Sequence, residues 1–209
     1  MNVFIGIDPS INSTGLTILK YDNNKLVNEK FFIIKPNKLT KKEEKISIRN
    51  FKYLLYNKID ISEYKDDNHK GEYYKTLNMI EISELIYKTI CKNTHKDDDI
   101  TISMEGISYG SSIRTKSIFD LAGLNYLIRY LIIKNGHMKL LICPPQEIKK
   151  FASGKGNSLK DILVNSFLIL YPKYEIIPKL DDLVDSYYMA KYCYEFNKYN
   201  MNLLDMYNN

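Results

Sequence analysis

The stretch FIGIDPSINSTGLTIL, residues 4 to 19, narrows the possible folds of this chain more than any other. An apolar run suited to burial ends on Asp8. It then passes through Pro9, Asn12 and Gly15, which favour a turn, and resumes as GLTILK over 15–20. KLVNEKFFIIK, over 25–35, predicts a third strand, so the N-terminus reads as an antiparallel meander whose first strand ends in a carboxylate. Asp8 taken alone has two readings: it opens an Asx-type turn, or it holds something that needs negative charge. An acid at the end of a buried strand is costly unless a cation or hydrogen bonds meet it.

The same pattern recurs downstream. DITISME, over 99–105, places Ile100, Ile102 and Met104 on one face of a strand and Thr101, Ser103 and Glu105 on the other, so it too ends on an acid. MKLLICP is a short buried strand stopped by Pro144 and Pro145. Leu77, Ile80, Leu85 and Tyr87 predict an amphipathic helix over about 72–92. A long helix follows over about 115–135, and two more close the chain near 158–171 and 180–198. Strands first, then strands alternating with helices, predict an α/β domain with a mixed central sheet flanked by helices. Residues 36–70 are dense in charge of both signs and read as a surface insertion or mobile segment carrying a short helix, with FKYLLYNKI as its apolar patch.

Composition bounds the function classes. With 209 residues, 44% hydrophobic and 26% charged, the chain fits one globular domain over 1–209. A net charge of +5 is compatible with a nucleic-acid partner and too small to prove one. Cys91, Cys143 and Cys193 are odd in number and far apart, which argues against a disulfide framework and a Cys-x-x-Cys zinc site. They read as reduced thiols filling space in a cytosol-like compartment. No apolar run approaches the ~18 residues of a membrane span, and no signal peptide opens the chain. The expectation is a cytoplasmic or nucleoid-associated protein, neither secreted nor membrane-bound.

Asp182 and Asp185 stand at i, i+3 on the last predicted helix and share a face. With Asp8 and Glu105 they make four carboxylates on distant segments that an α/β fold can bring together. Each has an ordinary reading: a turn, a solvated strand end, or acids favoured at a helix N-terminus. Together they suit magnesium, a hard cation that takes oxygen ligands. Two such ions ~4 Å apart clamp the oxygens of an in-line phosphoryl displacement.

IGIDPSINSTGLTIL, ISMEGISYG, PPQEIKKFASGKGNSLKD and DDLVDSYYMAKY, in that order, resemble the four signature regions of RuvC-type Holliday-junction resolvases, within the ribonuclease-H-like superfamily. The resemblance covers residues 2–21 and roughly 72–195 and leaves 36–70 unmatched. It implies a ribonuclease-H-like fold with Asp8, Glu105, Asp182 and Asp185 as catalytic metal ligands for Mg²⁺, with Mn²⁺ able to substitute. Asp181 competes with Asp182 for its place. A metal-activated water would cut DNA to leave a 5′-phosphate and a 3′-hydroxyl.

Lys149 and Lys160 match two basic residues the family uses near the scissile strand, and Lys150 and Lys155 are further phosphate contacts. Without the flanking motifs, this region reads as a basic loop between helices. The resemblance sets the family's aromatic after the glutamate on Ser108 or Tyr109, of which Tyr109 suits stacking on an exposed base, with Arg114 and Lys116 as phosphate contacts. The helix from Lys116 corresponds to the family's dimer helix; its Leu121, Leu124, Leu127 and Leu131 serve the core or a twofold interface, the core for most of them.

The implied protein is a homodimeric, metal-dependent endonuclease acting on branched DNA, the four-way junction above all, in a phage or large-virus version. The alternatives are a ribonuclease-H-like nuclease on RNA–DNA hybrids or flaps, and a non-catalytic junction-binding protein.

Overall fold

The computed structural model describes residues 1–64, 67–107, 117–156 and 160–207. Strands β1 (Asn2–Asp8), β2 (Thr14–Asp22) and β3 (Lys25–Pro36) form the predicted antiparallel meander. Asn23 and Asn24 turn the β2–β3 hairpin with φ of 47° and 61°, the left-handed pair that a two-residue hairpin needs and that asparagine tolerates. Strand β4 (Phe51–Tyr56) runs parallel to β3, while β5 (Asp99–Glu105) and β6 (Met138–Cys143) extend the sheet in parallel from β1. The six strands lie in the order β4-β3-β2-β1-β5-β6, a mixed sheet of the predicted kind.

Among the described residues five helices cover this sheet: α1 (Asn68–Asn93), α2 (Ser117–Asn135), α3 (Pro145–Ser153), α4 (Lys160–Leu170) and α5 (Leu180–Tyr207). Period-2 alternation in the strands separates two apolar clusters. Val3, Ile5 and Ile7 pack with Ile100, Ile102 and Met104 beneath Ile82, Ile86 and Ile90 of α1 and Leu124 and Ile128 of α2. On the opposite face Phe4, Leu19 and Phe31 pack with Phe167 of α4 and Leu183, Val184 and Tyr187 of α5. Cys143 and Cys193 are buried fillers, and Cys91 is exposed. Among the described residues no helix is long and apolar enough to cross a membrane.

Residues 36–70 carry short 3-10 helices at Glu43–Lys45 and Ser62–Tyr64, and between them the apolar patch FKYLLY is an edge strand, which the sequence reading did not expect, with Phe51 and Tyr53 packed toward one cluster and Leu54 and Tyr56 toward the other. The connection that brings it parallel to β3 is anchored rather than merely solvated. The Glu43 carboxylate, 6% exposed, accepts from Lys35 Nζ at 2.6 Å, from the Thr40 amide at 2.8 Å and from Thr40 Oγ1 at 2.9 Å. Burial works against its charge, but these donors outweigh it and hold the carboxyl below the usual range.

In α1 the buried face is Ile82, Ile86 and Ile90, whereas Ile80 is 37% exposed. The basic stretch after Pro144 is not all loop, since α3 begins with Pro145 in its first turn and ends at Gly154 with φ of 79°.

Candidate active site

Sheet topology brings the first two acids together. β1 and β5 are parallel neighbours in which Ile7 pairs with Met104, so Asp8 and Glu105 leave the same end of adjacent strands, about 4.8 Å apart in the sheet. Both point to the face covered by α5, because Ile7 and Met104, one residue earlier in each strand, face α1 and α2.

Two glycines set how closely α5 approaches. A Cβ on Gly6 would stand 1.9 Å from the Ser186 carbonyl oxygen, and one on Gly15 would stand 1.9 Å from that of Asp182. Gly15 is also the residue paired with Asp8 across the hairpin. The helix backbone therefore lies directly on the sheet at the two positions that lack side chains. Its rotation is fixed by Ser186, whose Oγ donates to the Leu183 carbonyl at 2.8 Å and shares a buried 2.8 Å hydrogen bond with Thr17 Oγ1. That clamp turns Asp182 and Asp185 toward the strand ends.

The electrostatics show that the four acids share one region. Burial first, and then the charges of Asp185, Glu105 and Asp182, push the Asp8 carboxyl well above the usual carboxylate range. Glu105 is raised by burial and by Asp185, with Lys149 and Lys160 opposing. Asp182 is raised by burial, against a hydrogen bond from the Ser13 side chain, and Asp185 is raised by burial, against Lys160. Lys160 Nζ stands 3.3 Å from Asp181 Oδ2 and 3.5 Å from Asp185 Oδ2. Burial disfavours its charge, yet Asp185, Asp181 and Asp8 outweigh that and raise its pKa.

Among the described residues no three histidine, cysteine, aspartate or glutamate side chains are gathered into a formed metal-ligand group. The donor chemistry nevertheless fits a hard divalent cation. The donors are carboxylate oxygens, held by three elements and raised in pKa partly by repulsion that a cation would relieve. Here Lys160 supplies part of that neutralisation.

Of the proposed DNA contacts, Lys149 lies near enough to act electrostatically on both Glu105 and Asp185. Lys150 is exposed on α3, and Lys155 follows the Gly154 cap, where its amide donates to Ser153 Oγ at 3.4 Å. Tyr109, Arg114 and Lys116 lie outside the described residues.

Two neighbours of the acids escape sequence reading as site residues. Ser13 bonds Asp182 from the β1–β2 turn. Asn125, only 3% exposed, donates from Nδ2 to the Glu105 carbonyl at 3.4 Å, while its Oδ1 has no partner among the described residues. Asp8, Glu105 and Asn125 line one cavity of about 160 Å³ with Ile107, Ile118 and Leu121. The available signal for Asn125 was a lone amide on the buried side of an apolar helix.

No family model matches the chain, and no curated protein matches it. Solved structures do. The chain superposes on Thermus thermophilus RuvC in complex with Holliday junction substrate with a TM-score of 0.50 at 12% identity, covering 91% of each chain. Against the Thermus thermophilus RuvC structure the TM-score is 0.49 at 12% identity, covering 90% of each. Against the yeast mitochondrial Holliday junction resolvase Ydc2 it is 0.48 at 19% identity, covering 89% of this chain and 75% of that one. The fold is therefore α/β and RuvC-like, with six strands and five flanking helices among the described residues.

Proposed function

We propose that this chain is a metal-dependent, structure-selective DNA endonuclease that resolves four-way junctions, with its nuclease site in a single domain over 1–209. One observation carries the reading: Asp8, Glu105, Asp182 and Asp185 come from three separate elements, the charges of the other three acids all push up the Asp8 carboxyl, and Asp185 also pushes up Glu105, with Lys149 and Lys160 opposing at Glu105. Carboxylates crowded in this way suit a bound cation. The RuvC neighbour bound to Holliday junction substrate points to branched DNA as the substrate class.

Asp8, Glu105, Asp182 and Asp185 would hold Mg²⁺ or Mn²⁺. When bound, the metal would supply a water nucleophile at neutral pH and neutralise charge on the scissile phosphate. The chain's own residues do the positioning. Lys149 and Lys160 would hold phosphate oxygens that the acids would otherwise repel, and Lys160 already stands beside Asp181 and Asp185. Lys150, Lys155, Arg114 and Lys116 extend the phosphate contacts, and Tyr109 stacks on an exposed base. The products carry a 5′-phosphate and a 3′-hydroxyl.

Resolution needs two nicks in symmetric strands, so the working unit is a C2 dimer. The surface of α2 supports it. Phe119, Tyr126, Tyr130 and Ile133 recur at spacings of seven, four and three and are 76%, 57%, 54% and 64% exposed. That is a coiled-coil-like stripe exposed among the described residues. Leu124, by contrast, is fully buried. Two buried guanidinium nitrogens of Arg129, on the same helix, also lack a partner among the described residues. Tyr126→Glu combined with Ile133→Glu is expected to convert the dimer to monomer in sedimentation velocity and paired nicks to single ones. A dimer that survives both changes overturns this interface.

The substrate reading is tested by incubating the protein and Mg²⁺ with a mobile four-way junction, an RNA–DNA hybrid and a splayed arm side by side. Paired cutting of the junction, with nicks that ligase seals directly, is expected; cutting of the hybrid alone overturns it.

A further inference from the structure

Residues 36–70, which the family resemblance leaves unmatched, build part of a basic cleft on the far side of the sheet from the strand-end acids. A cavity of about 300 Å³ at the β3–β4 edge is lined by Lys30, Arg49, Lys52 and Lys92, over apolar surface from Phe32 and Leu54, with no carboxylate in its lining. Elsewhere in the molecule Lys35, Lys75, Lys88, Lys139 and Lys160 are paired with acids. None of the four cleft cations forms an ion pair among the described residues.

Lys30 is held in place by a neutral group. Its Nζ donates to Asn93 Oδ1 at 2.7 Å, and Asn93 Nδ2 is tied to the Thr89 carbonyl at 2.7 Å, so the ammonium is positioned by an uncharged partner. The end of α1 contributes about −0.5 of an elementary charge, far less than the full positive charges it meets.

The cleft continues. A neighbouring cavity of about 680 Å³ shares Lys30 and Arg49 and adds Lys173. Its one acid, Glu29, accepts a hydrogen bond from the Tyr171 hydroxyl at 2.5 Å and is outnumbered by Lys30, Arg49 and Lys173. A continuous basic track without a glycine-rich cradle suits a run of phosphates better than a single nucleotide.

We propose that this edge cleft grips the phosphodiester backbone of one duplex arm of the DNA bound at the strand-end acids. The proposal rests on the branched-DNA reading above. Register sets the distance: Asp8 pairs with Gly15, Gly15 with Ile33 and Ile33 with Tyr53. Three strand spacings, roughly 14 Å, therefore separate Asp8 from β4. At about 3.4 Å of duplex axis per base pair, the gripped phosphates lie at least about four base pairs from the cut. The unmatched segment thus lengthens the DNA footprint.

The test compares wild type with an Arg49→Gln/Lys52→Gln/Lys92→Gln variant, without divalent metal, on a long-armed four-way junction and on linear duplex. The slope of log affinity against log salt is expected to fall by up to about 2.7 in magnitude, 0.9 for each lost phosphate contact. Hydroxyl-radical protection is expected to vanish at backbone positions beyond about four base pairs from the cut. The charge-conserving variant Arg49→Lys/Lys52→Arg/Lys92→Arg is expected to restore both, which separates loss of charge from loss of fold. An unchanged slope and footprint overturn the proposal. So does ADP or inorganic phosphate binding that the glutamine variant abolishes while DNA binding stays intact. A wild type that cuts no junction contradicts the nuclease reading; a slope change on linear duplex is independent of that result.

Discussion

Gly15→Ala is expected to destabilise the fold by about 3 kcal/mol or more, the upper end of overpacking effects. The added Cβ would stand 1.9 Å from the Asp182 carbonyl oxygen and 2.6 Å from its carbon. These are backbone atoms of a helix, so no side-chain rotation relieves the clash, and α5 must move off the sheet. Gly6→Ala meets the same obstacle at 1.9 Å from the Ser186 oxygen and 2.6 Å from the Ala190 amide nitrogen. At Gly106 the nearest atoms would be 3.4 and 3.5 Å away, and alanine there is expected to cost little. Urea denaturation midpoints rank the three variants. Because α5 carries Asp182 and Asp185, any Gly15→Ala protein that folds is also expected to lose cleavage.

Asp8→Asn should move stability and activity in opposite directions. In the metal-free protein the Asp8 carboxyl is raised by burial and by three neighbouring acids, so the folded state holds its proton more tightly than the unfolded chain does. Its contribution to stability is therefore full below the unfolded value of about 3.9 and is lost as pH rises through the higher folded pKa. Asparagine removes that loss. The variant is expected to melt higher than wild type at neutral pH, and the gap should close as the buffer is made acidic. Cleavage should fall by about a thousandfold or more, since a metal ligand supports several kcal/mol of transition-state stabilisation. Denaturation curves across pH and single-turnover rates check the two halves separately. A variant less stable than wild type at neutral pH would contradict the electrostatic account.

The strand-end acids were legible because alternation is local. Ile100, Ile102 and Met104 against Thr101, Ser103 and Glu105 fixes a strand and its faces from the sequence alone, and the structure keeps that division. The features that sequence hid depend on tertiary partners. β4 sits among charged residues, and its strand conformation comes from parallel pairing with β3 and the buried Glu43–Lys35 contact, neither visible as periodicity. Pro144 and Pro145 were read as a stop for β6, which they are, but Pro145 also starts α3. On α2 the leucines drew attention, whereas the outward stripe is carried by Phe119, Tyr126, Tyr130 and Ile133. Aromatic side chains with one polar edge are easily read as ordinary surface. Gly15 looked like turn chemistry, and its actual constraint is the backbone of a helix more than 160 residues later.

The central claim is that these carboxylates make a metal-dependent nuclease site for branched DNA. The most direct measurement is cleavage of a four-way junction across a Mg²⁺ titration, with wild type and Glu105→Gln side by side. The account predicts no cutting by wild type in the presence of chelator, paired nicks that rise with added Mg²⁺, and no cutting by Glu105→Gln at any Mg²⁺ concentration. Wild-type cutting that chelator leaves unaffected, or a Glu105→Gln protein that cuts as fast as wild type, would contradict it.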